Sequence, residues 1–156
     1  MSEIIESISS IASDGASTKA GAASTDWFLQ SLVNFANDGG VETGVTLQVG
    51  GLLVSGMIIS AMKYFDEFAT LFASGVREDP KLSAWFSQFF QSYKQYLDVP
   101  PKEKEAQPLP QYIHMKQVRF FTPGQNPLPN NSPALWRGRI TEIGGFFLGS
   151  LSAPEV

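Results

Sequence analysis

The chain has 156 residues, enough for one domain with a properly buried core. Lys+Arg 11 against Asp+Glu 15 leaves a formal net charge of -4, which gives no general attraction to phosphate backbones or anionic lipid. Cys 0 excludes disulfides and thiolate chemistry, and the opening Met-Ser-Glu-Ile-Ile-Glu has neither a basic nor an apolar targeting region, so a cytoplasmic protein is expected. Charged residues are only 17% of the chain while aromatic residues reach 12%, a balance that favours a surface for self-association or for a partner.

Residues 1–24 are dominated by Ser, Ala and Gly, with a brief apolar rhythm at Ile4, Ile5, Ile8 and Ile11. A flexible tail is expected there, the competing reading being a short amphipathic helix on a partner. Ser24-Thr25-Asp26 then offers a helix cap, and Phe28, Leu32, Phe35 and Ala36 fall on one helical face before Asp38-Gly39-Gly40 ends it.

The stretch from Gly44 to Ser60 is the centre of the pattern. Val45, Leu47 and Val49 alternate with Thr46 and Gln48, the period of a strand with one buried face. Gly50-Gly51 supplies a two-residue hairpin turn, and Leu52 to Ser60 returns as a more deeply buried strand. Gly56 marks a bulge or bend. No charge occurs between Glu42 and Lys63, which is long enough to span a bilayer, but the polar residues, the glycines and the two-residue rhythm favour the hairpin.

Two helices follow. Phe65, Phe68, Leu71 and Phe72 recur at helical spacing, and Gly75 stops the run. Asp79-Pro80 starts the next helix, which carries Leu82, Trp85, Phe86, Phe89, Phe90, Tyr93, Tyr96 and Leu97 around more than one face, as if clasped on two sides. Pro100 to Pro110 reads as a proline-stiffened polar linker. Tyr112, His114, Lys116 and Val118 then alternate with Ile113, Met115, Gln117 and Arg119, running into Phe120-Phe121. Thr122 to Pro133 is a proline-rich loop, shaped without hydrogen bonds of its own. Leu135 to Ile143 is a further strand, Gly144-Gly145 a tight turn, and Phe146 to Leu151 the last strand.

The fold class expected is α+β: a small, strongly bent, five-stranded antiparallel β-barrel or sheet, Sm-like or SH3-like, with an N-terminal helix and a two-helix insert between strands 2 and 3. Closure would hide the edges of so small a sheet. The organisation is a tail at 1–24 and one domain at 25–156, with the helical insert at 61–98 and the linker at 99–110.

Catalytic chemistry finds little to work with. There is one histidine, His114, and a lone strand histidine is more often a surface or hydrogen-bonded residue than a general base. Asp66, Glu67, Glu78 and Asp79 do not assemble a metal set, and Asp66 and Glu67 point apart on their helix. No enzyme activity, cofactor or metal is expected. Arg119, Arg137 and Arg139, with Phe120, Phe121 and Trp136, are the best residues for nucleic-acid contact, against which stand the negative net charge and the ordinary solvated placement of alternating arginines.

Two blocks carry a resemblance. Val45-Thr-Leu-Gln-Val-Gly-Gly-Leu-Leu-Val-Ser-Gly, continuing to Tyr64-Phe-Asp-Glu, is one. Tyr112-Ile-His-Met-Lys, Arg119-Phe-Phe-Thr-Pro-Gly and Leu135-Trp-Arg-Gly-Arg-Ile-Thr-Glu-Ile-Gly-Gly-Phe-Phe-Leu-Gly-Ser-Leu make the other. Together they resemble the gas vesicle accessory protein GvpU family. The resemblance implies a non-enzymatic cytoplasmic protein of gas vesicle production. Gas vesicles are protein-shelled, gas-filled compartments that confer buoyancy, and minor components of this kind act on their assembly, stability or grouping. The partners expected are the vesicle shell or other vesicle proteins, together with further copies of the chain; neither nucleic acid nor membrane is expected. The candidate contact residues are Phe86, Phe89, Phe90 and Tyr93 on the insert, and Phe120, Phe121 and Trp136 near the long loop. For each of them a place in the core is the competing reading. An Sm-like RNA-binding oligomer and a general oligomeric scaffold are the alternatives.

Overall fold

A computed structural model describes residues 24–97 and 108–152; the expected tail lies outside them, save Ser24, as does the greater part of the linker. The elements run α1 (Trp27–Gly39), β1 (Thr43–Val49), β2 (Leu52–Ile58), α2 (Ala61–Gly75), α3 (Pro80–Leu97), β3 (Tyr112–Phe121), β4 (Ala134–Arg139) and β5 (Ile143–Leu148). The five strands form one antiparallel sheet in the order β4-β3-β2-β1-β5. The class is therefore α+β, with the two-helix insert between β2 and β3. The sheet is open: β4 and β5 are its two edges and do not pair with each other, where a closed barrel was one expectation.

Helix α1 begins where Asp26 accepts hydrogen bonds from the N–H groups of Phe28 and Leu29 at 2.9 and 3.2 Å. It ends at Gly40, whose left-handed φ of 64° lets its N–H reach the carbonyl of Ala36. The buried apolar residues are Leu29, Val33 and Ala36; of the face expected from helical spacing, Phe28, Leu32, Phe35 and Ala36, only Ala36 is fully buried, with Leu32 packed partly against the core. Phe28 and Phe35 fall on the flank, where Phe28 packs on Phe146 of β5. The branched aliphatic residues fit the flat sheet more closely than the rings do, so they take the centre.

The core lies between α1 and one face of the sheet: Leu29, Val33 and Ala36 against Val45, Leu47, Val54, Ile58, Ile113, Met115, Val118 and Ile140. The β1–β2 hairpin forms as its alternation predicts, with Leu47 opposite Val54 and Gly50 at φ 59° in the turn. That settles the uncharged stretch as a hairpin, and among the described residues no helix is long and apolar enough to cross a membrane.

Two departures from simple alternation shape the sheet. The first is a bulge in β3. Ser55 pairs with Arg119 and Met57 with Lys116, so Gly56 alone faces two residues, and β4 sees the same extra residue between Met115 and Val118. Gln117 takes the extra position at φ 53°, in the left-handed region. The bulge therefore sits in β3, across from Gly56, and not in β2 itself. A Cβ on Gly56 would lie 2.7 Å from the Lys116 carbonyl oxygen and 2.9 Å from the Val118 side chain, so only glycine fits. The extra residue moves Val118 onto the core face with Ile113 and Met115, correcting the unbroken alternation expected for this strand.

The second departure is at the end of the chain. Ile140–Glu142 makes a single 3₁₀ turn, with Ile140 buried and its N–H bonded to the Gln111 carbonyl at 3.0 Å. The turn thus comes before Gly144-Gly145, which lie within β5 against the Gln48 side chain, Gly144 being the unpaired residue. After β5 the chain crosses the outer face of the sheet. Thr46 donates to the Gly149 carbonyl at 2.8 Å, and Ser55 accepts from the Leu151 N–H at 2.7 Å. Together with α2, this segment covers part of the outer face.

The proline-rich loop does have hydrogen bonds. Phe120 and Leu128 exchange a pair at 2.6 and 3.0 Å, and the Arg119 guanidinium donates to the carbonyls of Pro129 and Asn130 at 3.0 and 3.2 Å.

Candidate interaction site

The outer face of β3 and β4 carries the helical insert. Ser60 caps α2 by accepting from the Lys63 N–H, and Asp79 caps α3 by accepting from the N–H groups of Lys81 and Leu82 at 3.1 and 3.0 Å. Glu42, just before β1, is bonded by both Lys63 of α2 and Lys116 of β3, which ties the base of the insert to the sheet. These two ammonium groups hold the Glu42 carboxyl below the usual carboxylate range. Lys94 pairs with Asp66 between the two helices.

The helices meet through rings. Phe72 faces Phe86 with centroids 4.0 Å apart, Phe68 faces Phe90 at 5.5 Å, and Phe65 faces Tyr93 at 5.9 Å. Of the residues expected to make contacts, Phe86 and Phe90 thus spend much of their surface inside the hairpin. Phe89 does not, and Tyr93, though it meets Phe65, stays largely exposed. Helix α3 has no buried residue at all, and Trp85, Phe89, Tyr93 and Tyr96 are 56%, 41%, 45% and 72% exposed along one stripe. Trp85 stacks on Phe89, Phe89 packs on Tyr93 and Tyr93 on Tyr96, so the stripe is continuous. The expectation of a helix clasped on two sides becomes a helix clasped by α2 on one side and open on the other.

The second expected cluster does not assemble. Phe120 and Trp136 pack against the core, on the α1 face, while Phe121 sits on the outer face opposite Leu53. Trp136 lies flat over Gly138, where a Cβ would meet its ring at 2.1 Å. The Trp-Arg-Gly-Arg motif is thereby explained as a packing device: glycine makes room for a ring that covers it.

At the foot of the insert, His114 and Arg137 face each other across β3 and β4. His114 is only 5% exposed, under the rings of Tyr64 and Phe65 at 4.9 and 5.7 Å. The Arg137 Nε donates to His114 Nε2 at 3.1 Å, and the guanidinium lies 3.6 Å above the Tyr112 ring. Burial, and then the Arg137 charge, push the His114 imidazole down to about 4, so it is neutral near pH 7. With Nε2 accepting, the proton sits on Nδ1, which is buried without a hydrogen-bond partner among the described residues. Around this pair opens a cleft of about 630 Å³ walled by Phe65, Tyr93, Tyr96 and Tyr112. The pairing was invisible in sequence order because it depends on strand register; a histidine and an arginine at alternating positions of neighbouring strands were the only hint.

Among the described residues no group of three or more His, Asp or Glu side chains is placed to hold a metal ion. The fold defines an α+β protein with a helical hairpin mounted on one face of an open five-stranded antiparallel sheet. The chain belongs to the GvpU-like family of gas vesicle proteins: the family model described as gas vesicle protein GvpU-like matches residues 26–151, from the cap of α1 to the end of the segment crossing the sheet. No curated protein and no solved structure matches the chain.

Proposed function

We propose that this chain is a non-enzymatic gas vesicle accessory protein that docks on the vesicle shell, or on another vesicle protein, through the open face of α3, and that self-association of docked copies aids vesicle assembly, stability or clustering. The family membership supports the vesicle setting, and with it a cytoplasmic, vesicle-associated location. The observation that carries the docking is the stripe Trp85–Phe89–Tyr93–Tyr96, four exposed rings in continuous contact on a helix with no fully buried residue. Aromatic side chains concentrate binding energy at interfaces, and a shell displaying many identical copies turns weak single contacts into strong retention.

The strand order, in which β5 returns to β1 while a 3₁₀ turn links it to β4, supports an Sm-like relationship for the sheet. Support for the RNA alternative weakens, because Arg119 is engaged by the loop and Phe120 and Trp136 pack on the core.

Flotation tests the proposal. Purified protein is mixed with isolated gas vesicles, centrifuged at low speed, and the buoyant layer assayed. Enrichment in that layer is expected, with its loss in a Trp85→Ser, Phe89→Ser variant whose circular dichroism is unchanged. Protein that stays in the subnatant well above micromolar concentration, or floats equally well without the stripe, would overturn docking through α3.

A further inference from the structure

We propose that the cleft beside Arg137, which shares Tyr93 and Tyr96 with the α3 stripe, is a binding site for a carboxylate carried on an apolar body. Arg137 is held at two points, its Nε by His114 and its plane by the Tyr112 ring. Its two terminal nitrogens have no hydrogen-bond partner among the described residues, and no carboxylate there pairs with it. Pairing an arginine through Nε with a neutral acceptor, while all three ion-paired cations in the described region are lysines, leaves its guanidinium charge without a carboxylate among the described residues. A guanidinium fixed in this way presents two parallel N–H groups, which match the two oxygens of a carboxylate.

The walls decide between anions. Phe65, Tyr93, Tyr96 and Tyr112 line the cleft together with the uncharged amides of Asn37 and Gln111, and an adjoining pocket of about 320 Å³ shares Phe65, Tyr93 and Arg137 and adds Phe68, Phe89 and Phe90. One cation among rings suits a monoanion with an apolar tail. A phosphate dianion would be left half neutralised in apolar surroundings. The buried His114 imidazole beneath the arginine stays neutral and adds no second positive charge. Pockets of this combined size hold small organic ligands, and equally a side chain with its neighbours. The carboxylate therefore comes either from a free aliphatic or aromatic acid, or from an acidic residue set in an apolar segment of another protein.

Because the chain has His 1, its imidazole resonances are unambiguous and lie directly under the proposed site. Octanoate, and separately a leucine-rich peptide carrying one glutamate, are titrated into ¹⁵N-labelled protein while the histidine ring signals are followed. Octanol and the Glu→Gln peptide serve as the uncharged controls. Saturable shifts with octanoate support the site with a free acid as ligand, and shifts with the glutamate peptide alone support it with a partner's acidic side chain. In either case Arg137→Gln is expected to weaken the response about 10- to 100-fold, the range for hydrogen bonds to a charged group. Tyr96→Ala, at a highly exposed position that the fold does not need, should weaken it a few-fold through the lost apolar wall. Absence of a saturable shift with both acids, an equal response to octanol, or tighter binding of adenosine monophosphate or oligouridine than of octanoate would overturn the proposal.

Discussion

The two faces of the sheet are packed by different kinds of residue. On the inner face α1 sets Leu29, Val33 and Ala36 against aliphatic side chains of every strand but β4 and β5, and these residues are almost wholly sealed. On the outer face α2 and α3 join through phenylalanine and tyrosine, and no residue of α3 is fully buried. Aliphatic residues build the part that must be unique and dense, while rings build a part that keeps contact surface in reserve. In this molecule aromatic content marks the periphery, which is the reverse of what ring size alone suggests.

Mutations should break the molecule unevenly along that division. Leu47→Ala, at the centre of the sealed face, is expected to cost about 4 kcal/mol in urea unfolding, from lost transfer energy and the cavity left behind. Acid is next, because His114 is sealed between the outer face of the sheet and the rings of α2. Its folded-state proton affinity is depressed to about 4, so between the ordinary value near 6.5 and that point the unfolded chain binds the extra proton. Stability is therefore full above pH 6.5 and falls as the pH drops toward 4, by about 3 kcal/mol at about 1.4 kcal/mol per tenfold proton affinity. Unfolding curves measured across this range for the wild type and for His114→Leu check it, the variant losing most of the slope. Gly56→Ala should cost about 2 kcal/mol, since its Cβ meets backbone across the strand. Asp26→Ala, which removes the cap of α1, should cost about 1 kcal/mol in the same assay. Trp85→Ser with Phe89→Ser should leave stability within about 0.5 kcal/mol, the signature of a face that does not hold the fold together. A large loss in this last variant would show that the stripe is core after all.

What could be read from the sequence follows the range over which each cause acts. Helix caps at Asp26, Ser60 and Asp79 and the Gly50 turn are local decisions, and the first cap, the last cap and the hairpin are legible from a few residues each. The insert between β2 and β3 is legible from a change of period. The burial of Leu29 in preference to Phe28 depends on the shape of the sheet facing α1, which no window along the chain contains. The position of the last turn is decided by Ile140 entering the core, while the adjacent glycines gave a stronger local signal for a turn. Of the candidate contact residues, Phe89 and Tyr93 were readable as surface only once α2 had a known orientation. The His114–Arg137 pair needs the register of two strands, and that register is itself altered by the bulge.

The left-handed residue at Gln117 works on strand β3 as a change of reading frame does on a message. Up to Lys116 the odd-numbered residues Ile113 and Met115 face the core; beyond Gln117 the even-numbered Val118 and Phe120 do. Deleting that one exposed residue would leave simple alternation with Val118 and Phe120 still inward; flattening the bulge with Gln117 retained would turn the rest of the strand over, directing Arg119 inward and Val118 and Phe120 outward. The loop that Arg119 holds through Pro129 and Asn130 would lose its anchor in the same step. A position whose side chain the core never touches thus fixes the orientation of everything that follows it on β3.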